Sequence, residues 1–264
     1  MKAFLIVLLL ALYIQVLSQK TDSVGYLSNL RGKGFCVRQG AQTNLKIPFF
    51  FYTGDKVNIV SGNAVIVLKS EEEVKLGTGE SFTVVAQNSS QKKQNDLLMY
   101  RNTKQSSSSF KMRSLGEPAF LIFPNRSKLA NTENAILLIK SKMKSKYFFK
   151  LADVESKNFI YKLSEVNDTL ISLKNCDLIE GKAYTWTIRY PEFTISGDIE
   201  VITNEQKKSI PKFDFSNRAS YTKAFNYYCD ENYFFDAYKV IEDAIRAYPE
   251  DGYFQYLKKS LFGQ

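Results

Sequence analysis

Residues Gly54 to Val85 read GDKVNIVSGNAVIVLKSEEEVKLGTGESFTVV. Three short apolar runs lie inside this stretch, Val57–Val60, Ala64–Leu68 and Phe82–Val85. Gly54-Asp55, Ser61-Gly62-Asn63 and Gly77-Thr78-Gly79 punctuate them, which is the pattern of antiparallel strands joined by tight turns. Val57, Ile59, Phe82 and Val84 alternate with polar neighbours, as strands with one wet face do. Ala64–Leu68 is continuous, as expected for a strand covered on both faces. Ser70-Glu71-Glu72-Glu73 reads as a solvated turn whose charges guard an edge strand against pairing.

Working outward, Val24–Leu30 and Phe35–Val37 around Arg31-Gly32-Lys33-Gly34 read as a short strand pair. Ile47–Tyr52 is a dense aromatic run that Pro48 places at a strand start or edge. On the other side, Asn88–Ser109 is rich in Ser, Gln, Asn and Lys and has the composition of a linker. From Pro118 a second β pattern begins, with strand-like runs at Phe120–Phe123, Ala135–Ile139, Tyr147–Leu151, Phe159–Leu163, Thr169–Leu173, Tyr184–Tyr190 and Ile199–Ile202. Tyr184, Trp186, Ile188 and Tyr190 share one strand face, so Trp186 reads as core rather than as a stacking platform for sugar. Short strands at this spacing predict a β-sandwich. After Pro211 the apolar period changes from 2 to 3.6. Helices are expected over Asn217–Cys229, with Ser216 as cap, over Asp236–Tyr248 before Pro249, and from about Tyr253 to Leu261.

The expected fold class is therefore a mainly β multidomain chain. A glycine-turned β domain spans 25–87, a polar linker 88–116, a β-sandwich 117–205, and a helical hairpin plus one helix 212–264. Three resemblances attach to these units. The arrangement of Gly54, Asp55, Gly62, Ala64, Leu68, Leu76, Gly77 and Ser81 resembles the FecR-type domain of bacterial periplasmic proteins, although Ser70–Glu72 stands where that family usually has Asp-Gly-Ser. The Gly181-x-x-Tyr184-x-Trp186 element and its flanking strands resemble fibronectin III/immunoglobulin-like modules. Tyr221, Tyr228, Ala237, Ile241 and Ala244, counted back from Pro249, resemble the signature of a tetratricopeptide repeat, with Phe225 where a small residue is usual. One such repeat cannot bury its own apolar face, since about three are needed. The helical unit is thus expected to dock on the sandwich or on a partner.

The first residues have the form of a secretory leader over 1–18: Lys2, an apolar run from Phe4 to Leu17, then Val16 and Ser18 before a cleavage point at Gln19. The run is shorter than the roughly 20 residues of a membrane span; the other reading is an uncleaved anchor. The expected location is periplasmic or secreted, with no integral membrane segment after cleavage. Three cysteines, Cys36, Cys176 and Cys229, leave at least one thiol unpaired, and which two would pair is open.

The 264-residue chain carries 36 Lys and Arg against 27 Asp and Glu and contains no His. Without His the commonest general base and metal ligand are missing. No nucleophile–base pair or phosphate-binding loop is legible, so neither enzyme activity nor a cofactor or metal is expected. The basic excess is uneven, with five lysines and no acid between Lys140 and Lys150. For an exported chain it points to anionic glycan, a membrane surface or an acidic protein patch, not to nucleic acid.

These features predict an exported, non-enzymatic bacterial cell-envelope protein acting as a protein-binding scaffold or accessory subunit of an envelope complex. The alternatives are a glycan- or peptidoglycan-binding module and a FecR-type periplasmic signalling protein. The partner surface is expected at Tyr228, Tyr233, Phe234 and Tyr238 on the helices, with Lys142, Lys144 and Lys146 as an accessory basic strip.

Overall fold

The computed structural model describes residues 23–85, 108–111, 118–141, 146–166, 169–191 and 193–262. Residues 1–22, on which the expected leader falls, most of 88–116, on which the expected linker falls, and Lys142 and Lys144 lie outside the described residues. The fold is mainly β and multidomain, as the patterning predicts: an N-terminal sheet, a two-sheet sandwich and a C-terminal helical unit.

The N-terminal unit is built from β1 (Gly25–Arg38), β2 (Ala41–Asn44), β3 (Phe50–Phe51), β4 (Lys56–Leu68), β5 (Glu73–Gly77) and β6 (Ser81–Thr83). Here the glycines correct the sequence reading. Gly32 and Gly62 do not turn the chain; β1 and β4 run straight through them and pair antiparallel along their length, with Gly32 directly opposite Gly62. Both have positive φ, 113° and 82°. A Cβ on Gly62 would fall 1.7 Å from the Arg31 carbonyl oxygen, and one on Gly32 would fall 2.1 Å from that of Ser61. The pair thus permits a close backbone crossing that no side chain tolerates. On either side of it, each long strand serves two sets of neighbours. The Phe35–Arg38 end of β1 pairs β2 and its Gly25–Tyr26 end pairs β3, while β4 pairs β6 and then β5. Leu27, Ile66 and Leu68 from one half and Cys36, Val57 and Ile59 from the other enter one core. Gly54 and Gly79, with φ of 88° and 82°, do occupy turns. Beside Gly54, buried Asp55 accepts two hydrogen bonds from the Arg38 guanidinium, at 2.8 and 2.7 Å, and one from the Tyr52 N–H at 2.8 Å. That pins the aromatic run onto β1.

Among the described residues nine strands follow: β7 (Ser108–Lys111), β8 (Pro118–Phe123), β9 (Arg126–Leu129), β10 (Ile136–Ser141), β11 (Tyr147–Asp153), β12 (Phe159–Val166), β13 (Leu170–Ser172), β14 (Ala183–Arg189) and β15 (Thr194–Val201). One sheet has the order β13-β10-β8-β7 and the other β12-β11-β14-β15-β9. The first strand, β7, falls within the stretch read as linker. Leu137, Ile139, Ile171 and Leu173 from the first sheet meet Tyr147, Phe149, Leu151, Tyr184, Trp186 and Ile188 from the second in a single core. Trp186 is fully buried, and Gly197 on β15 makes room for its ring.

Among the described residues the α-helices are α1 (Asn204–Lys208), α2 (Arg218–Asp230), α3 (Phe234–Ala247) and α4 (Gly252–Leu261). Asn217, not Ser216, caps α2: its side-chain oxygen accepts from the Ser220 N–H at 2.9 Å, and its amide donates to Glu71 at 3.1 Å. Removing a side-chain cap of this kind costs about 1 kcal/mol, so Asn217→Ala is expected to lower urea-unfolding stability by about that much. A smaller loss than Ser216→Ala would mean the cap assignment is wrong.

Candidate functional site

The helical unit docks on its own chain, and on both β units at once. Against the N-terminal sheet, Tyr26 and Val67 join Phe225, Ala237, Tyr253 and Phe254 in one core. Tyr26 packs against Tyr253 with tilted rings, centroids 4.2 Å apart, and shares a 2.9 Å hydrogen bond with Thr222. Against the sandwich, the α2–α3 turn hydrogen-bonds to β9 (Lys128 N–H to the Asn232 carbonyl, 2.8 Å). Buried Asp236 accepts from the Ala130 N–H at 2.9 Å and from Asn134 at 2.8 Å.

This docking decides where the expected partner residues sit. Phe234 and Tyr233 are each 5% exposed. Phe234 donates its N–H to Ser127 at 3.0 Å and faces Phe123, and Lys128 reaches over the Tyr233 ring. Tyr238 packs on Phe123 and Phe262 at 6.0 and 6.2 Å; burial, with Glu242 beside it, pushes its hydroxyl up to about 12. Tyr228 is half-buried between Phe213 and Tyr233, and burial followed by the nearby Asp236 carboxylate lifts it likewise to about 12. Lys146 pairs with Glu165 at 2.8 Å, both exposed. Three of the four aromatics are thus spent on intramolecular seams. Outside the seams lies a stripe the periodicity does not single out. Phe215 and Tyr221 are 5.0 Å apart, Tyr221 and Tyr248 6.1 Å, Phe213 and Phe215 6.4 Å, and Phe213 and Tyr227 5.7 Å. Phe215 is 44% exposed and the others are half-buried.

The acidic turn Glu71–Glu73, expected to be simply solvated, holds α2. Arg218 donates from Nη1 to both Glu73 carboxylate oxygens, at 2.7 Å each, and Lys223 pairs with Glu71. The Lys223 ammonium, then the Asn217 amide, hold the Glu71 carboxyl below its ordinary range. A depressed folded value means a contribution that is present above the ordinary glutamate range and fades as pH falls through the folded one. Glu71→Gln is therefore expected to flatten the acid-side loss of stability in that window; an unchanged pH profile would disprove the tether.

The second exposed surface is the outer face of the five-stranded sheet. Period-two alternation turns Phe148 and Lys150 of β11, Thr185, Thr187 and Arg189 of β14, and Ser196, Asp198 and Glu200 of β15 away from the core. Register sets Phe148 beside Arg189, and Lys150 between Lys162 and Thr187. A bulge between Leu151 and Ala152 of the β11–β12 ladder puts Phe159 opposite Ala152. Strict alternation would send Phe159 and Lys162, three residues apart, to opposite faces. Instead the Lys162 and Lys150 ammoniums lie 4.2 and 5.0 Å from the Phe159 ring centroid. Phe159 is 52% and Phe148 49% exposed. Beyond them Thr187 and Ser196 share a 3.1 Å hydrogen bond, and Thr185 donates to Asp198 at 3.1 Å. At the far edge a cleft of about 670 Å³ opens between Arg126, Lys128, Asp198, Glu200 and Asn232; its charges cancel.

Among the described residues no group of three or more His, Cys, Asp or Glu is placed to hold a metal ion, and no helix is long and apolar enough to cross a membrane. Cys36, Cys176 and Cys229 are free thiols; burial raises Cys36 and Cys176 to about 11 and lifts Cys229 well above the ordinary thiol range. They are thus poor nucleophiles.

No family model matches the sequence, and no curated protein matches it. One similar solved structure is described as "Biofilm associated protein - BSP domain". It aligns over 72% of this chain and 28% of that chain, at 11% identity and a TM-score of 0.23, a level of likeness that assigns neither fold nor function.

Proposed function

We propose that this chain is an exported, non-enzymatic cell-envelope protein that works as a rigid binding scaffold, offering the aromatic stripe of its helical unit to a protein partner. The stripe carries the reading. Phe213, Phe215, Tyr221, Tyr227 and Tyr248 stay in ring contact at the surface of a unit braced against both β units. Tyr and Phe are enriched at protein interfaces, and a surface ordered in advance has less entropy to lose on binding. The leader-like residues 1–18 support export, the likeness of Gly54–Val85 to FecR-type periplasmic domains supports an envelope location, and the lack of His supports a binding role.

Deleting 212–264 is a poor test, because it would uncover Tyr26, Val67 and Phe123. A photo-reactive phenylalanine analogue at Phe215 of the full chain, irradiated in an envelope preparation, is the better one. One discrete protein adduct is expected from Phe215 and none from the same analogue at exposed Lys75. Absence of an adduct at Phe215, or the same adduct at both positions, would overturn the reading.

A further inference from the structure

The outer face of the five-stranded sheet is a different surface from the stripe, and its chemistry points to a different ligand. Lys150, Lys162 and Arg189 are exposed and make no salt bridge with any described residue. Lys150 and Lys162 are directly opposed across strands, about 5 Å apart at the backbone. Like charges so placed cost stability. The Phe159 ring beneath them partly relieves that cost through its negative π face. The β12–β11–β14 part of this face is positive at a cost and carries two half-exposed phenylalanines, while Asp198 and Glu200 on β15 lie beyond it; that part is complementary to an anionic polymer.

We propose that this face binds an acidic polysaccharide laid across β12, β11 and β14. The acid groups would pair with Lys150, Lys162 and Arg189, and the apolar faces of the sugar rings would pack on Phe148 and Phe159. Thr187, Ser196 and Thr185 continue the face as a row of hydroxyls, suited to a hydroxylated ligand. A lipid bilayer fits less well. Inserting Phe159 into the acyl layer would drag two ammoniums below the headgroups, which is costly. The proposal rests on the reading of the chain as an exported binding protein, but it uses its own residues and its own test.

Purified full-length protein is titrated with polygalacturonate, heparin, neutral dextran, a single-stranded oligothymidine and vesicles of phosphatidylcholine with phosphatidylglycerol. Binding to at least one acidic polysaccharide and none to dextran is expected. The triple change Lys150→Gln, Lys162→Gln, Arg189→Gln is expected to weaken it about tenfold, as the loss of three exposed ion pairs should. Raising salt from about 0.1 M to about 1 M, which shortens the Debye length from about 10 Å to about 3 Å, should weaken it similarly. Phe148→Ser with Phe159→Ser should weaken it with the salt dependence unchanged, and Lys33→Gln, Lys75→Gln, Lys208→Gln elsewhere should leave it intact. No binding to either acidic polysaccharide overturns the proposal, as does tighter binding to the vesicles or the oligonucleotide, or equal loss in the control triple. None of these results touches the protein adduct at Phe215, so the two readings fail separately.

Discussion

Asp251→Ala is expected to destabilise the folded chain by about 3–5 kcal/mol, the range for breaking a buried ion pair by removing one partner. Asp251 is 2% exposed. One carboxylate oxygen caps α4, accepting from the Tyr253 and Phe254 N–H groups at 2.9 and 3.1 Å. The other accepts from Ser28 on β1 and from Arg218 on α2, the latter at 3.1 Å. Arg218 also holds Glu73 and lies over the Tyr248 ring at 4.2 Å. One side chain thus ties β1, α2 and α4 together, and its loss leaves buried Ser28 without its acceptor, the first α4 amides uncapped and Arg218 with Glu73 alone. Burial lifts the Asp251 carboxyl above its ordinary range, against the downward pull of Ser28, the two amides and Arg218. A raised folded value means the native state takes up this proton first, so stability from this site falls as pH rises through the folded value. Asp251→Asn keeps a capping oxygen and should cost less than the alanine change while abolishing that pH dependence. Equal losses for the two variants in urea unfolding, or a loss near zero for alanine, would show that the carboxylate is not what joins the units.

Local periodicity made part of this architecture legible and left the rest unreadable. Tyr147, Phe149 and Leu151, and Tyr184, Trp186 and Ile188, declare buried strand faces because every second side chain meets the same core. Pro249 and the change to a 3.6 period mark the helices. Strand β9, Arg126–Leu129, is missed because Arg-Ser-Lys-Leu offers two inward side chains, one of them polar, and its parallel partner β15 lies far along the chain. The bulge that sets Phe159 beside Lys150 and Lys162 exists only in the pairing of two strands, so it leaves no trace in either. Long-range ion pairs behave the same way. Glu71 and Glu73 have the composition of a wet turn, and only the arrival of Lys223 and Arg218 makes them an anchor. The helical aromatics were legible as a sticky surface; that Tyr233 and Phe234 are consumed within the chain follows from docking on both β units.

Glycine is the residue where the two kinds of information collide, and Gly62→Ala tests it. In sequence, Ser61-Gly62-Asn63 is indistinguishable from a hairpin turn, because a turn and a close backbone crossing both require what only glycine has, positive φ and no Cβ. The two cases differ in what an added methyl would meet. At Gly40 the φ is +83° and nothing lies within 4 Å, whereas at Gly62 the φ is +82° and the Arg31 carbonyl oxygen would be 1.7 Å away. Gly40→Ala should therefore cost only the left-handed backbone penalty, about 1–2 kcal/mol. Gly62→Ala carries that penalty plus a backbone clash that no rotamer can relieve, which adds about 1–3 kcal/mol of overpacking. The total of about 2–5 kcal/mol places it with the most damaging single changes available to this unit. Because Gly32 faces Gly62 and would meet the Ser61 carbonyl, Gly32→Ala should be comparably severe, and the double change should cost less than the sum if the strands separate locally. Equal losses at Gly40 and Gly62 in urea unfolding would mean that the crossing opens freely, and that the continuity of β1 and β4 through this point contributes nothing to stability.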